Sequence, residues 1–485
     1  NNVTKGAMKG SERDASSASI TLSYNLKNLI FRNVVSFDTY KADNGTYGSF
    51  ATYARLNTYF RAKDEEGKLI KSWANFPGYS DISNPLVDAG LDSENYSRSS
   101  TIRDIFSIDW TILKGLSLKG QLGISKSFSN RHNYLPAEHS SFSYPGIDTF
   151  AKGTYDYTTG EAFAIDGNLT LNYSTVLNEK HSIYTGVYAT IMESKDFAYA
   201  FSVQGLLNKN FKDFANALSY KTGTVPSGTD SRSASVGFTG NINYTYDSRY
   251  YIDASIRVDG SSQFGRDKRF APFWSAGLRW NMKKESWLRN VKWVDDVVLR
   301  ASYGVTGTQG FSPYQSRSVY TYTNLMKPYF SSNATGTELV ALGNSNLKWQ
   351  QTGTWNVGLE LSLLKGRFTT RAEYYIKNTK NSLAQITLAP SVGFASYPEN
   401  MGNLETKGVE LNFSFIPYRN LDKDAYWVIT VNGSHNEEKL KKISDALRHM
   451  NELNTSNEKD KPLPMYEEGE SQTRIWVVRS LGIDP

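Results

Sequence analysis

Polar and apolar positions alternate with a period of two through most of the chain, and the clearest stretch is Ser233–Asp259. Ala234, Val236, Phe238, Ile242, Tyr244 and Tyr246 take one set of positions. Ser235, Gly237, Thr239, Asn241, Asn243 and Thr245 take the other. Such alternation predicts a strand with one dry face and one wet face. A short turn follows at Asp247-Ser248-Arg249. Ile252, Ala254, Ile256 and Val258 then alternate with Asp253, Ser255, Arg257 and Asp259. The strands run to about ten residues or more, and a transmembrane β-strand needs roughly 9–11.

The same rule draws seven hairpins. They pair Ser16–Leu26 with Leu29–Tyr40, Ile102–Ile112 with Ser117–Phe128, and Ala162–Thr175 with His181–Ile191. The Ser233–Asp259 hairpin is the fourth. Then come Phe273–Met282 with Val297–Val305, Thr354–Leu364 with Arg367–Lys377, and Val409–Pro417 with Tyr426–His435. In the sixth, Trp355, Val357, Leu359, Leu361 and Leu363 oppose Asn356, Glu360 and Ser362.

Connections within hairpins are short, apart from Met282 to Val297, which has room for a helical turn around Glu285–Val291. Connections between hairpins are long: 41–101, 129–161, 192–232, 260–272, 306–353, 378–408 and 436 onward. Short turns at one end and long loops at the other are the pattern of an outer-membrane barrel. Gly48–Phe60 also alternates, but counting it as a wall strand would put the next short turn at the wrong end. It is therefore placed in the first long loop, as a local hairpin. An amphipathic helix is expected at Glu438–Met450, opened by the basic run Lys439–Lys442, as a solvated cap of the last loop.

Composition narrows the picture. The chain has 485 residues, 31 Tyr, 24 Phe and 10 Trp, and no apolar run long enough for a helical span. Aromatic, Asn/Ser/Thr/Gly-rich sequence suits sheet. A net charge of +6, mixed in sign, gives no reason to expect nucleic acid. Cysteine is absent, which excludes thiolate metal sites, a thiol nucleophile and disulfides. The opening NNVTKGAMKGSERD has no basic segment followed by an apolar one. Either the protein is cytoplasmic or its polypeptide starts upstream.

The residues offer little reactive chemistry. His132, His139, His181, His435 and His449 lack metal-ligand spacing. Gly304–Gly310 is glycine-rich but lacks phosphate-loop spacing and its lysine. Asp253/Asp259 and Glu360/Glu373 are carboxylate pairs that a glycosidase could use, but on a strand they fall on the wet face. No catalytic residue, metal site or cofactor is expected. Arg257, Asp259, Arg279, Arg300, Arg371 and Glu373 share that face and are read first as polar packing against a filled interior, and second as substrate contacts. The long loops are rich in aromatics: Trp73, Phe76, Tyr79, Tyr134, Phe142, Tyr144, Tyr314, Tyr320, Tyr322, Tyr329 and Phe330. Ring faces suit sugar faces, and equally suit packing within the loops or against a partner.

Several runs resemble the SusC/RagA class of TonB-dependent outer-membrane transporters of Bacteroidetes-type bacteria. They are Ile256–Gly265 (IRVDGSSQFG), Phe273–Trp280 (FWSAGLRW), Leu299–Gly307 (LRASYGVTG), Asn346–Gln351 (NLKWQQ), Asn356–Leu359, Tyr374–Tyr375, Met401–Glu410 (MGNLETKGVE) and Ser480–Pro485. The resemblance covers most of 100–485 and implies an all-β fold, an antiparallel transmembrane barrel of about 22 strands filled by a plug. Fourteen strands are legible here, so residues 1–485 are expected to be part of one receptor barrel domain within a longer polypeptide. The plug, the signal segment and the TonB-contacting segment are expected to lie outside it.

The resemblance further implies a nutrient importer in the outer membrane, not an enzyme. Its expected partners are a SusD-like surface lipoprotein lid, TonB, outer-membrane lipid, and an oligosaccharide or oligopeptide ligand. The residues chosen as substrate contacts are Trp73, Tyr79, Tyr314, Tyr320, Tyr322 and Arg257. The rival readings are a passive porin or adhesin barrel, which an upstream plug would exclude, and a secreted glycan-binding β-protein. The second rival should have polar outward faces, whereas these are rich in Trp, Leu, Val and Phe.

Overall fold

The computed structural model describes residues 2–8, 10–73, 82–143, 146–265, 268–308, 310, 312–323, 336–388, 390–420, 422, 425–457 and 465–477. Strands dominate. They are β1 Asn2–Lys5, β2 Glu12–Leu26, β3 Leu29–Asp43, β4 Ser72–Trp73, β5 Ile82–Ser83, β6 Glu94–Leu113, β7 Leu116–Leu135, β8 Thr154–Leu177, β9 His181–Gln204 and β10 Ser219–Tyr220. The second half adds β11 Ser227–Tyr246, β12 Tyr250–Ser261, β13 Phe270–Asn281, β14 Val294–Thr308, β15 Val319–Thr323, β16 Gly336–Ala341, β17 Gln350–Leu363, β18 Phe368–Thr387, β19 Ser396–Asn420 and β20 Ala425–Lys442. Four short helices are described: α1 Phe50–Ala54, α2 Pro85–Ala89, α3 Ser286–Arg289 and α4 Asp445–Asn457. No described helix is long and apolar enough to cross a membrane.

One antiparallel sheet takes the strands in chain order: β1-β2-β3-β6-β7-β8-β9-β11-β12-β13-β14-β17-β18-β19-β20, with β10 beside β9. All seven expected hairpins are present in it, and β4/β5 and β15/β16 form separate two-stranded pieces. The chain forms two compact units, 1–108 with 121–167 and 192–232, and 109–120 with 168–191 and 233–485.

In the second unit the β11/β12 register puts Phe238 opposite Val258, Ile242 opposite Ala254 and Tyr244 opposite Ile252. Ile252 lies opposite Leu278, Leu278 opposite Ala301, Ala301 opposite Val357, Val357 opposite Tyr374 and Tyr374 opposite Val409. That apolar row is left uncovered, with Leu278 59% and Ile252 48% exposed. In the first unit β2 behaves alike: Ile20, Leu22 and Tyr24 are each more than 60% exposed. Rows of exposed large hydrophobics along one face of these strands need an apolar surrounding.

The short turns follow from backbone handedness. Asp247 and Ser248 have φ of 52° and 50°, and Asn178 and Glu179 have 51° and 57°. Two successive left-handed residues match the twist of the strands they join, and Asp and Asn tolerate this conformation best. Gly115 has φ of 87° and would place a Cβ 2.3 Å from the Ser174 carbonyl oxygen, so only glycine fits there. The expected helical turn after Met282 is α3.

Three expectations change. Gly48–Phe60 is not a hairpin; it holds α1, Phe50–Ala54, and the chain there follows local helical hydrogen bonds such as Arg55 N–H to the Ala51 carbonyl. The last helix lies at Asp445–Asn457, not Glu438–Met450, because Glu438–Lys442 continues β20 in register with Asn403–Thr406. Strands also reach farther into the long connections than the alternation shows: β6 begins at Glu94, β8 at Thr154 and β19 at Ser396. There both faces carry polar or aromatic residues, so the period-two contrast fades although pairing continues.

Buried apolar clusters sit at these extensions. Phe264, Ala271, Phe273 and Trp349 form one, with Phe264 stacked on Trp349 at 4.4 Å. Ile386, Leu440, Ile443 and Leu447 seat α4 on the ends of β18 and β20. Tyr134, Tyr155, Val203 and Leu206 form the third. Tyr134 therefore belongs to β7, buried, and not to an open loop.

Candidate functional site

The face opposite the apolar rows carries the charges, in cross-strand order. One row runs Tyr251, Arg279, Arg300, Gly358, Glu373, Glu410 and Ser434. The next runs Glu360, Arg371, Asn412 and Asn432. Arg300 on β14 donates to Glu373 on β18 at 2.8 Å, across the strand between them. Gly358 lies between them; a Cβ there would touch both side chains at 3.4 Å, and a larger side chain would fill the gap they cross. Glu373 also accepts from Arg371 Nε at 2.6 Å and Asn356 Nδ2 at 3.3 Å. Glu360 lies 3.2 Å from Arg300 and 3.9 Å from Arg371. Arg279 lies over the Tyr251 ring at 5.0 Å.

The same device recurs. Arg103 on β6 reaches Asp166 on β8 at 3.4 Å, and Gly123 on β7 leaves the gap, where a Cβ would meet the Asp166 carboxylate at 2.8 Å. Gly277 leaves room for Asp253 in the same way, and Gly237 for Asp259. Glycine inside a strand thus lets a charged side chain lie flat over its neighbour. The charges pair along the wall, which charge-assisted hydrogen bonds favour. Beside them an open cavity of about 820 Å³ is lined by Arg371, Glu373, Glu410, Asn412, Asn432 and Ser434, among others. Sequence reasoning saw the charges; it missed the glycines, whose signal was their recurrence at wet-face positions.

The chosen substrate-contact residues are not gathered in one place. Arg257 donates from Nε to both Asp259 oxygens at 2.7 Å, so it is held within the wall. Trp73 stacks on Phe60 at 4.8 Å and donates to the Arg61 carbonyl at 2.9 Å, packing inside its own loop. Tyr320 is 63% exposed on β15, and Tyr322 is on the same strand. Tyr314 has φ of 70°, a costly conformation for a tyrosine. It lines a second cavity of about 380 Å³, with Pro313, Gln315, Arg317, Phe394 and Pro398. Gln315 Oε1 is buried there without a hydrogen-bond partner among the described residues. Tyr79, Phe76, Tyr144, Tyr329, Phe330 and the run Ser480–Pro485 lie outside the described residues.

His139 and His132 are structural. His139 is 6% exposed; its Nδ1 accepts from the Ser141 N–H at 3.1 Å and its Nε2 meets the Thr46 carbonyl at 3.1 Å. Asp88 of α2 accepts from the Ser140 N–H at 2.9 Å, so three loop segments are tied together. His132 stacks on Tyr96 at 4.5 Å. Near them, burial raises the Tyr53 hydroxyl to about 12. Hydrogen bonds that Lys212 donates to Asp92 and Glu94 hold its ammonium above its ordinary value, clamping 205–218 to the start of β6. No group of three or more potential metal ligands occurs among the described residues.

Known proteins bear on this wall. The family "TonB dependent receptor-like, beta-barrel" matches residues 21–464. TonB-dependent receptor P39 of Formosa agariphila is 26% identical over 486 aligned residues, covering 99% of this chain and 43% of that protein. TonB-dependent receptor SusC of Bacteroides thetaiotaomicron is 32% identical over 216 residues, covering 44% of this chain and 21% of that protein. The chain thus spans less than half the length of these relatives. The RagAB peptide transporter superposes with a TM-score of 0.75 at 21% identity, over 90% of this chain and 48% of that one. The two-faced antiparallel wall is its fold. With most of its residues matched, the chain belongs to the TonB-dependent receptor-like β-barrel family of the outer membrane.

Proposed function

We propose that this chain is wall and outer loops of a SusC-type importer that brings a large nutrient, an oligosaccharide or oligopeptide, across the outer membrane. The observation that supports it best is the two-faced wall, with an uncovered apolar face and an opposite face whose charges pair along the sheet. Such an inner face can border a polar filling with much of its charge already paired, as a plugged lumen requires. In this reading all of 1–485 lies in one barrel domain, and the plug and the TonB-contacting segment are supplied outside it. A SusD-like lipoprotein closes over the long loops, and TonB, pulling on the plug, opens the path.

The ligand is bound and passed, not chemically altered. The contacts we assign to it are Tyr314, with the 380 Å³ cavity it lines, and the exposed Tyr320. Trp73, Tyr79, Tyr322 and Arg257 complete the set, with Arg257 turning from Asp259 to the ligand when the path opens.

The test uses the full-length protein with its lid, in detergent, titrated with defined oligosaccharides and oligopeptides. One class is expected to bind and to be recovered intact, and its uptake by cells should require TonB. Uptake that persists without TonB would leave a passive pore, and a cleaved ligand would make the protein an enzyme.

A further inference from the structure

The second cavity, of about 380 Å³, lies where three segments of the second unit meet, 313–319, 340–342 and 394–398. Hydrogen bonds tie these segments together. The Arg317 N–H donates to the Tyr314 carbonyl at 2.8 Å, closing a turn, and the Asn344 N–H donates to the Gln315 carbonyl at 3.1 Å. The Asn344 side chain, 6% exposed, donates from Nδ2 to the Pro398 carbonyl at 2.9 Å. Gly343 approaches the same turn closely; a Cβ there would sit 2.0 Å from the Arg317 carbonyl carbon. The turn that carries Tyr314 at its positive φ is thus fixed from two sides. A cavity tied in this way is formed before a ligand arrives.

Its lining makes three separate demands on a ligand. Most of it is apolar, with Pro313, Val319, Val340, Leu342, Phe394 and Pro398, and accepts an apolar group. Arg317 is the one charged residue among those that line it, and its guanidinium has no partner among the described residues. A guanidinium is matched best by a carboxylate, which it can bind through two parallel hydrogen bonds. Gln315 Oε1, buried and unpaired among the described residues, calls for an N–H or O–H donor. The last residue of a peptide brings all three at once: a side chain, a terminal carboxylate and a backbone N–H. A neutral oligosaccharide carries no anion. An acidic one would set hydroxyl groups against the apolar lining, where each would lose its water without gaining a partner.

Within the importer proposed above, on which this assignment rests, we infer that the cavity seats the carboxyl-terminal end of an oligopeptide whose last residue is apolar. Arg317 holds the terminal carboxylate, Gln315 accepts from the last N–H, and the side chain enters between Val340, Leu342 and Phe394. The nutrient is then a peptide, recognised at one end and free to vary along the rest of its length.

The test uses the full-length protein with its lid, in detergent, incubated with random-sequence peptides ending in Leu, the same peptides amidated at the C-terminus, peptides ending in Ser, and a uronic-acid oligosaccharide. Retained ligand is counted by mass spectrometry. Wild type should retain the free-acid Leu peptides about tenfold over the amidated ones, and over those ending in Ser. R317Q should bring the free acid down to the level of the amide. Ala395→Trp, which narrows the cavity, should remove the preference for Leu over Ser. Folding of each variant is checked by its heat-dependent gel mobility. Equal retention of free acid and amide by wild type, or a preference that survives in folded R317Q, would overturn the assignment. So would stronger retention of the uronic-acid oligosaccharide, which would leave the importer reading standing with a different ligand. Peptide uptake by cells that persists without TonB would instead strike the importer reading itself.

Discussion

The two ends of the strands are built by different physics. At the turn ends, one to three left-handed residues reverse the chain, and one acidic residue braces the longer connection. Glu285 accepts from the Tyr250 hydroxyl at 2.6 Å and Trp280 Nε1 at 3.0 Å, with Arg249 at 3.2 Å. At the loop ends, pairing outlasts the apolar band and small aromatic cores take over, such as Phe264–Trp349 and Tyr134–Tyr155. The wall between has no core of its own; its apolar face is open. The wall is therefore held by register and by its surroundings, and the loop ends by packing.

Four substitutions or conditions should separate these regions. The largest effect is expected from Trp349→Ala, which empties a cluster where Trp349 is only 8% exposed. A loss of about 3–5 kcal/mol should appear as faster hydrogen exchange in 262–269 and 344–351, with the wall strands unchanged. Equal loosening of the wall would show that the two regions are one cooperative unit. Ile252→Arg places a charge on the outward face and should cost about 2–4 kcal/mol of stability in a bilayer. Ser255→Arg, on the inward face of the same strand, should cost far less. Parity between them would remove the distinction between faces.

The third test is Gly358→Val, which fills the gap that lets Arg300 reach Glu373. We expect a loss of about 1–3 kcal/mol, most of which should also follow Glu373→Gln. The double variant should lose little more than either single one, as coupled sites do. Full additivity would mean that the pair does not depend on the glycine.

The smallest effect concerns pH. Hydrogen bonds from Tyr250 and then Trp280, with the charge of Arg249, hold Glu285 below its ordinary value of 4.5. A carboxylate depressed on folding adds stability above its unfolded pKa, and that contribution fades as pH falls through the folded value. The turn-end brace should therefore be intact at pH 5 and above and weaken below about pH 4.5. Glu285→Gln should flatten that dependence, read from exchange at 282–293.

The wall was legible because one face of every strand is apolar, and a period of two survives any loop length. Tyr244, Ile252 and Val357 could be placed on the apolar face from their spacing alone, while the register that sets them in one row came from the structure. The upper strand segments were not legible, since Thr154–Gly160 and Ser396–Lys407 carry polar and aromatic residues on both faces. The α4 boundary was missed for a related reason: Glu438–Lys442 reads as a charged helix start, but backbone pairing to β19 overrides that preference. The site was half legible. The charges stood out, but which ones meet depends on glycines on the strand between them, such as Gly358 between Arg300 and Glu373.

The central claim is that the strands cross the outer membrane with alternate residues facing lipid. The chain contains no cysteine, so single cysteines placed at 252 to 257 on β12 are the only thiols within it, and the full-length parent protein carried through the same labelling gives the background. In outer-membrane vesicles, cysteines replacing Ile252, Ala254 and Ile256 should react with a lipid-soluble maleimide and resist a charged one. Those replacing Asp253, Ser255 and Arg257 should show the reverse. A strict period of two is the result predicted, and uniform reaction of all six with the charged reagent would contradict the account.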